Sequence, residues 1–125
     1  TCALPISGDP AAEVRDAWEL LAALRLRERR GVELIACPTC GRLQMDLEPV
    51  VEALAEALAD VRAPLTVAVM GCVVNGPGEA DTADVAVCAG KGKALLYRRG
   101  QKVRTLPPEE IVPAVLAEVR GLRGD

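Results

Sequence analysis

The 125-residue sequence has no histidine and no phenylalanine, and its aromatics are Trp18 and Tyr97 alone. Without histidine there is no imidazole acid–base catalysis, no histidine-assisted serine or cysteine nucleophile, and little scope for a catalytic zinc site. The scarcity of aromatics leaves no platform on which bases could stack. A net charge of −3 with mixed signs points the same way, against nucleic acid as a partner. The longest apolar run, near Leu65 to Val74, falls well short of the ~20 residues of a membrane-spanning helix. No basic segment followed by an apolar one opens the chain as a secretory signal would, so a cytoplasmic or plastid-stromal location is expected. The chain starts at Thr1 and is expected to be the end part of a longer protein.

Half of the residues are apolar, chiefly Ala, Val and Leu, so the expected core is aliphatic. The length suits one domain, spanning residues 1–125. Five cysteines, an odd number without a secretion signal, favour metal or redox use over a disulfide framework. The pattern reads as an α/β (α+β) fold: a mixed sheet of about five strands flanked by about three helices. "SGDPAAEVRDAWELLAALRLRERRG" predicts a helix, capped by Asp9, with Pro10 at its first position and Val14, Ala17, Trp18, Leu21 and Leu24 on one face. Its cationic end, Arg25 to Arg30, suits the helix dipole, and Gly31 stops it. Val32 to Ala36 reads as a short buried strand. Leu47, Val50, Val51, Leu54, Leu58 and Val61 recur at helical spacing, and Leu65 to Met70 forms a second apolar strand. Val85 to Ala89 is a third. "KGKALLYRRGQKVRTL" reads as a hairpin turning at Arg99-Gly100. "PPEEIVPAVLAEVRGL" is a final amphipathic helix that starts near Pro113 or bends there, because proline lacks a backbone donor.

Residues 32–70 have the spacing of a strand–helix–strand unit, and parallel strands in such a unit end on one edge of the sheet. Ligand sites in open α/β sheets lie beyond that edge. Cys37 and Cys40 follow the first strand, in "CPTCG", and Cys72 follows the second. Two cysteines three apart recur in zinc knuckles, iron–sulfur sites and thiol–disulfide exchangers. A third from another strand end sharpens the metal reading. For a fourth ligand there are two candidates. Cys88 would complete a four-thiolate zinc site, although a cysteine among Val85, Ala86, Val87 and Ala89 also serves as a small buried apolar group. Glu79, at the end of "MGCVVNGPGEA", would complete an iron–sulfur cluster with one unusual corner. A carboxylate is a harder, more exchangeable donor than a thiolate, so Glu79 could yield its iron to a substrate oxygen. Asn75 in the same loop serves the turn or contacts the cluster or substrate. Arg25, Arg27, Arg29 and Arg30 form a solvated helix end or, alternatively, a docking patch for an acidic electron carrier. A third function, thiol–disulfide exchange through Cys37 and Cys40, stands beside the redox and zinc alternatives.

"IACPTCGR", "MGCVVNGPGEA" and "SGDPAAEVRDAWELL" resemble the C-terminal iron–sulfur domain of the 4-hydroxy-3-methylbut-2-enyl diphosphate synthase family, over nearly the whole chain from about Gly8. The resemblance implies a [4Fe–4S] cluster held by Cys37, Cys40, Cys72 and Glu79. It implies a fold similar to the cluster-binding halves of sulfite and nitrite reductases. It also implies reductive ring opening of 2-C-methyl-D-erythritol 2,4-cyclodiphosphate in non-mevalonate isoprenoid synthesis, with ferredoxin or flavodoxin as electron donor. The family's TIM-type barrel, which grips the diphosphate substrate and in the homodimer is capped by the other subunit's cluster, has no counterpart in these residues. Residues 1–6 do not match the family's usual lead-in.

Overall fold

The computed structural model describes residues 9–37, 41–72, 78 and 80–122. Cys2, Cys40, Asn75 and Glu79 lie outside the described residues. The chain forms two compact units, residues 1–30 and 31–125.

The first unit is built on helix α1, Pro10–Ala23. Asp9 caps it: its carboxylate accepts from the Ala11 amide at 3.0 Å, and Pro10 sits where no amide donor is needed. The helix stops well before Arg30, and the stop is local. Leu26 donates to the Leu21 carbonyl and Arg25 to that of Ala22, the paired bonds of a Schellman turn. Arg25 supplies the left-handed residue, at φ 57°, where glycine is usual. The expected helix through Arg30 is therefore corrected to an end at Ala23, with Arg27 and Arg30 folded back so that both guanidinium groups lie 4.3 Å from the Trp18 ring centre.

The second unit contains the sheet. Its strands are β1 (Glu33–Cys37), β2 (Thr66–Met70), β3 (Val85–Gly90), β4 (Lys93–Arg98) and β5 (Gln101–Leu106), in that spatial order. β1 pairs with β2, and β2 with β3, in parallel; β3–β4 and β4–β5 are antiparallel. The sheet is thus mixed, with five strands, as the alternation of patterns predicts. Helix α2 (Glu48–Leu58) makes the crossover between β1 and β2, and α3 (Ile111–Leu122) follows a short 3-10 turn at Pro108–Glu110. Pro113 lies in the first turn of α3, where amides have no partner inside the helix; the helix begins two residues before it rather than at it.

Period-two alternation divides the strands between two faces. On the first, Val67, Val69, Val85, Val87 and Leu96 pack with Leu54 and Leu58 of α2 and Ile111, Val115 and Val119 of α3. On the second, Ala68, Met70, Ala86 and Cys88 pack with Ala80 and Ala83, flanked by Leu95 and Tyr97. β1 is the departure from expectation. It covers Glu33–Cys37 and alternates exposed with half-buried residues, because among the described residues it is an edge strand with a hydrogen-bonded neighbour on one side alone.

Candidate metal centre at the carboxyl edge of the sheet

Cys37 is the last residue of β1, level with Met70, the last residue of β2. Cys72 follows Met70 by two positions, so parallel pairing delivers both thiols to one edge. Cys37 is exposed and Cys72 is buried. The two strand exits are pressed together at Gly71. A Cβ built there would stand 2.9 Å from the Cys37 carbonyl oxygen and would collide with the Leu43 side chain. The amide of Gln44 donates to the Gly71 carbonyl at 3.0 Å. The chain that leaves Cys37 therefore returns to the exit of β2 within a few residues.

Cys88 stands on β3, level with Met70 on one side and Leu95 on the other. It is fully buried among alanines of the second face. Burial pushes its thiol up to about 11, and the neighbouring Cys72 adds to the effect. Tyr97, diagonal to Cys88 across the β3–β4 pair, is raised as well, by burial first and then by Cys88. Without a metal, the Cys88 thiol stays protonated at ordinary pH and packs as a small apolar group.

Of the expected ligands, the described residues bring Cys37 and Cys72 to neighbouring strand ends. Cys40, Glu79 and the loop residue Asn75 fall outside them. Among the described residues no group of three or more His, Cys, Asp or Glu side chains gathers to hold a metal. The donors that are described fit an iron–sulfur centre in kind: soft thiolates at the edge of an apolar sheet. Sequence reasoning passed over Gly71 and Gln44, although a glycine between an apolar strand and a cysteine is a sign of close backbone approach. It also passed over Asp84. That carboxylate accepts from the Thr66 amide at 2.9 Å, and the Asp84 main chain bonds to both Thr66 and Arg99, which ties the start of β2 to the start of β3.

Residues 33–121 match the GcpE protein C-terminal domain family. The chain is similar to proteins called 4-hydroxy-3-methylbut-2-en-1-yl diphosphate synthase (flavodoxin). The Geobacter sulfurreducens protein is 50% identical over 119 residues, 95% of this chain and 33% of its own length. The Tropheryma whipplei (strain Twist) protein is 46% identical over all 125 residues, 33% of its own length. The Aquifex aeolicus protein is 45% identical over the same span, 35% of its length. The chain thus spans about a third of the curated relatives it matches.

Proposed function

This chain belongs to the GcpE protein C-terminal domain family, and on that premise we propose that it is the iron–sulfur domain of a 4-hydroxy-3-methylbut-2-enyl diphosphate synthase. In the whole protein it would serve the reductive opening of 2-C-methyl-D-erythritol 2,4-cyclodiphosphate, with flavodoxin or ferredoxin as electron donor. The named relatives, all flavodoxin-type synthases, support the reaction and the first of these donors.

Cys37, Cys40, Cys72 and Glu79 would hold a [4Fe–4S] cluster. When bound, such a cluster supplies single electrons and a Lewis-acidic iron. The chain's own contribution is positional. β1 and β2 present Cys37 and Cys72 at adjacent ends, and the close approach at Gly71 fixes their spacing. Glu79 would provide a harder, exchangeable donor beside three firm thiolates. Asn75 would contact the cluster or substrate from the same loop. The convergence of two thiols from separate parallel strands is the observation that supports this function best. The diphosphate grip, the TIM-type barrel and the homodimer partner that would complete the enzyme belong to the rest of the protein, and a cytoplasmic or plastid-stromal location goes with the pathway.

Anaerobic reconstitution of the 125-residue chain tests the proposal. A brown protein with acid-labile sulfide and about four irons per chain is the expected result. A colourless protein holding one zinc would replace it with the four-thiolate alternative that includes Cys88, and a metal-free, reversibly oxidised dithiol with thiol–disulfide exchange.

A further inference from the structure

Residues 91–104 carry six cations, Lys91, Lys93, Arg98, Arg99, Lys102 and Arg104, and no acid, in a chain whose net charge is −3. Two of the six are engaged, Arg98 with Glu118 at 3.6 Å and Arg99 with Asp84 at 3.7 Å. Lys91, Lys93, Lys102 and Arg104 are exposed, and among the described residues none of them has an ion pair. A local excess of one sign that the fold does not offset attracts a partner of the other sign.

The place of these cations in the sheet gives them a use. Lys93 begins β4 and pairs with Gly90, the last residue of β3. The turn through Lys91 and Gly92 therefore lies at the carboxyl end of β1, β2 and β3, the edge that receives Cys37 and Cys72. Gly92 supplies its left-handed residue, at φ 67°. β4 is two strands from β2, about 10 Å at the usual spacing. Lys102 and Arg104 continue the cationic strip along β5, exposed from Gln101 to Thr105. Between them Val103 is the extra residue of a bulge: Tyr97 pairs with Lys102 and Leu96 with Arg104, and Val103 is 46% exposed. An apolar residue ringed by charge has the anatomy of a contact with a polar rim.

On β5 alone the cations would need no further reason, since they keep an edge strand from pairing. Lys91 and Lys93 guard no edge. The arginines that follow α1 form the rival patch, but Arg27 and Arg30 lie over Trp18, Glu28 stands between them in sequence, and they belong to the other compact unit. Resting on the function proposed above, we propose that Lys91, Lys93, Lys102 and Arg104, around Val103, form the docking surface for the electron donor, a carrier protein with an acidic face. Docked there, the reduced carrier stands beside the edge where the thiols converge. One electron leaves it for the oxidised cluster, and no bond is made or broken.

Calorimetric titration of the whole protein with flavodoxin reads the docking, and stopped-flow reduction reads its use. Reversing the four charges together, as Lys91→Glu, Lys93→Glu, Lys102→Glu and Arg104→Glu, is expected to raise Kd about 10-fold or more at low salt. It is expected to flatten the dependence of binding on ionic strength between about 0.01 and 1 M. Reduction by flavodoxin should slow, while reduction by a photoreduced deazaflavin, a small uncharged donor, keeps its rate. An unchanged thermal midpoint shows that the variant is folded; if it falls, the pairs Lys91/Lys93 and Lys102/Arg104 are reversed separately. An unchanged Kd would overturn the proposal, as would equal slowing with both donors, or a loss found instead in Arg25→Glu with Arg27→Glu. A protein that binds flavodoxin through these residues but takes up no iron would sink the proposed function and keep the surface. One that takes up iron but binds as well with the charges reversed would sink the surface and keep the function.

Discussion

Arg25 occupies a conformation that costs an L-residue about 1 kcal/mol or more, at φ 57°, and nothing but the helix stop requires it there. Arg25→Gly is expected to stabilise the first unit by about 0.5–1 kcal/mol, seen as higher helicity and slower amide exchange in α1; no gain would mean that the arginine side chain compensates for the strain. Gly71 faces the opposite demand. Its neighbours across the missing Cβ are the Cys37 carbonyl and Leu43, and a backbone oxygen cannot rotate away. Gly71→Ala is expected to cost about 1–3 kcal/mol in urea unfolding and to weaken metal retention, because the two strand exits must part. Cys88 gives a pH dependence with a definite sign. Its thiol ionises near 9.0 when unperturbed and at about 11 in the fold, raised by burial and then by Cys72. The folded state holds the proton more firmly, so the stabilisation is complete below pH 9.0 and is lost as pH rises through about 11, by up to about 3 kcal/mol. In the metal-free chain, alkaline destabilisation should shrink in Cys88→Ala. An unchanged profile would assign the effect to Tyr97, which is raised too.

At the scale of elements, the hairpin was the most legible part of the chain. Arg99 and Gly100 both adopt positive φ, 49° and 76°, as a two-residue turn between twisted strands demands. A side chain on Gly100 would meet the Asp81 carboxylate at 2.7 Å. Gly100→Ala is therefore expected to destabilise the sheet by about 1–2 kcal/mol without touching the thiols, so metal content should survive while the thermal midpoint falls. β2 and β3 were legible because they are apolar on both faces, as buried parallel strands are. α2 was legible from its helical repeat. The end of α1 was not, because the usual glycine signal is replaced by arginine. The exposure of β1 was not legible either: the apolar run from Val32 to Ala36 says strand, but edge position is a property of the whole sheet. Pro113 was ambiguous for a simple reason, since a proline is tolerated in a first turn and the sequence does not say which turn it occupies.

For the molecule as a whole, the shared edge of the first two strands was legible in outline. The spacing of Cys37, Cys40 and Cys72 implied strand ends that converge, and parallel pairing of β1 with β2 brings the first and last of these to one edge. Which residue closes the site was not legible from spacing, since Cys88 and Glu79 compete on paper. Of the two, Cys88 is fully buried among alanines beside Cys72, and Glu79 lies outside the described residues, so metal content of the variants decides between them. Reconstituted anaerobically, Cys88→Ser is expected to keep its iron, and Glu79→Ala to keep iron but bleach faster in air. Loss of metal in Cys88→Ser alone would transfer the fourth position to that cysteine. On the proposed function, a chain that spans about a third of its relatives should carry a cluster yet give no turnover unless the rest of such a protein is supplied; product from the isolated chain would overturn that expectation.

The one-sided pairing of β1 has a consequence for reagents in solution. A border strand peels away without opening the interior, and the sulfur at its tip goes with it, while Cys72 stays walled in. In the metal-free chain a thiol-alkylating reagent should therefore mark Cys37 long before it reaches Cys72.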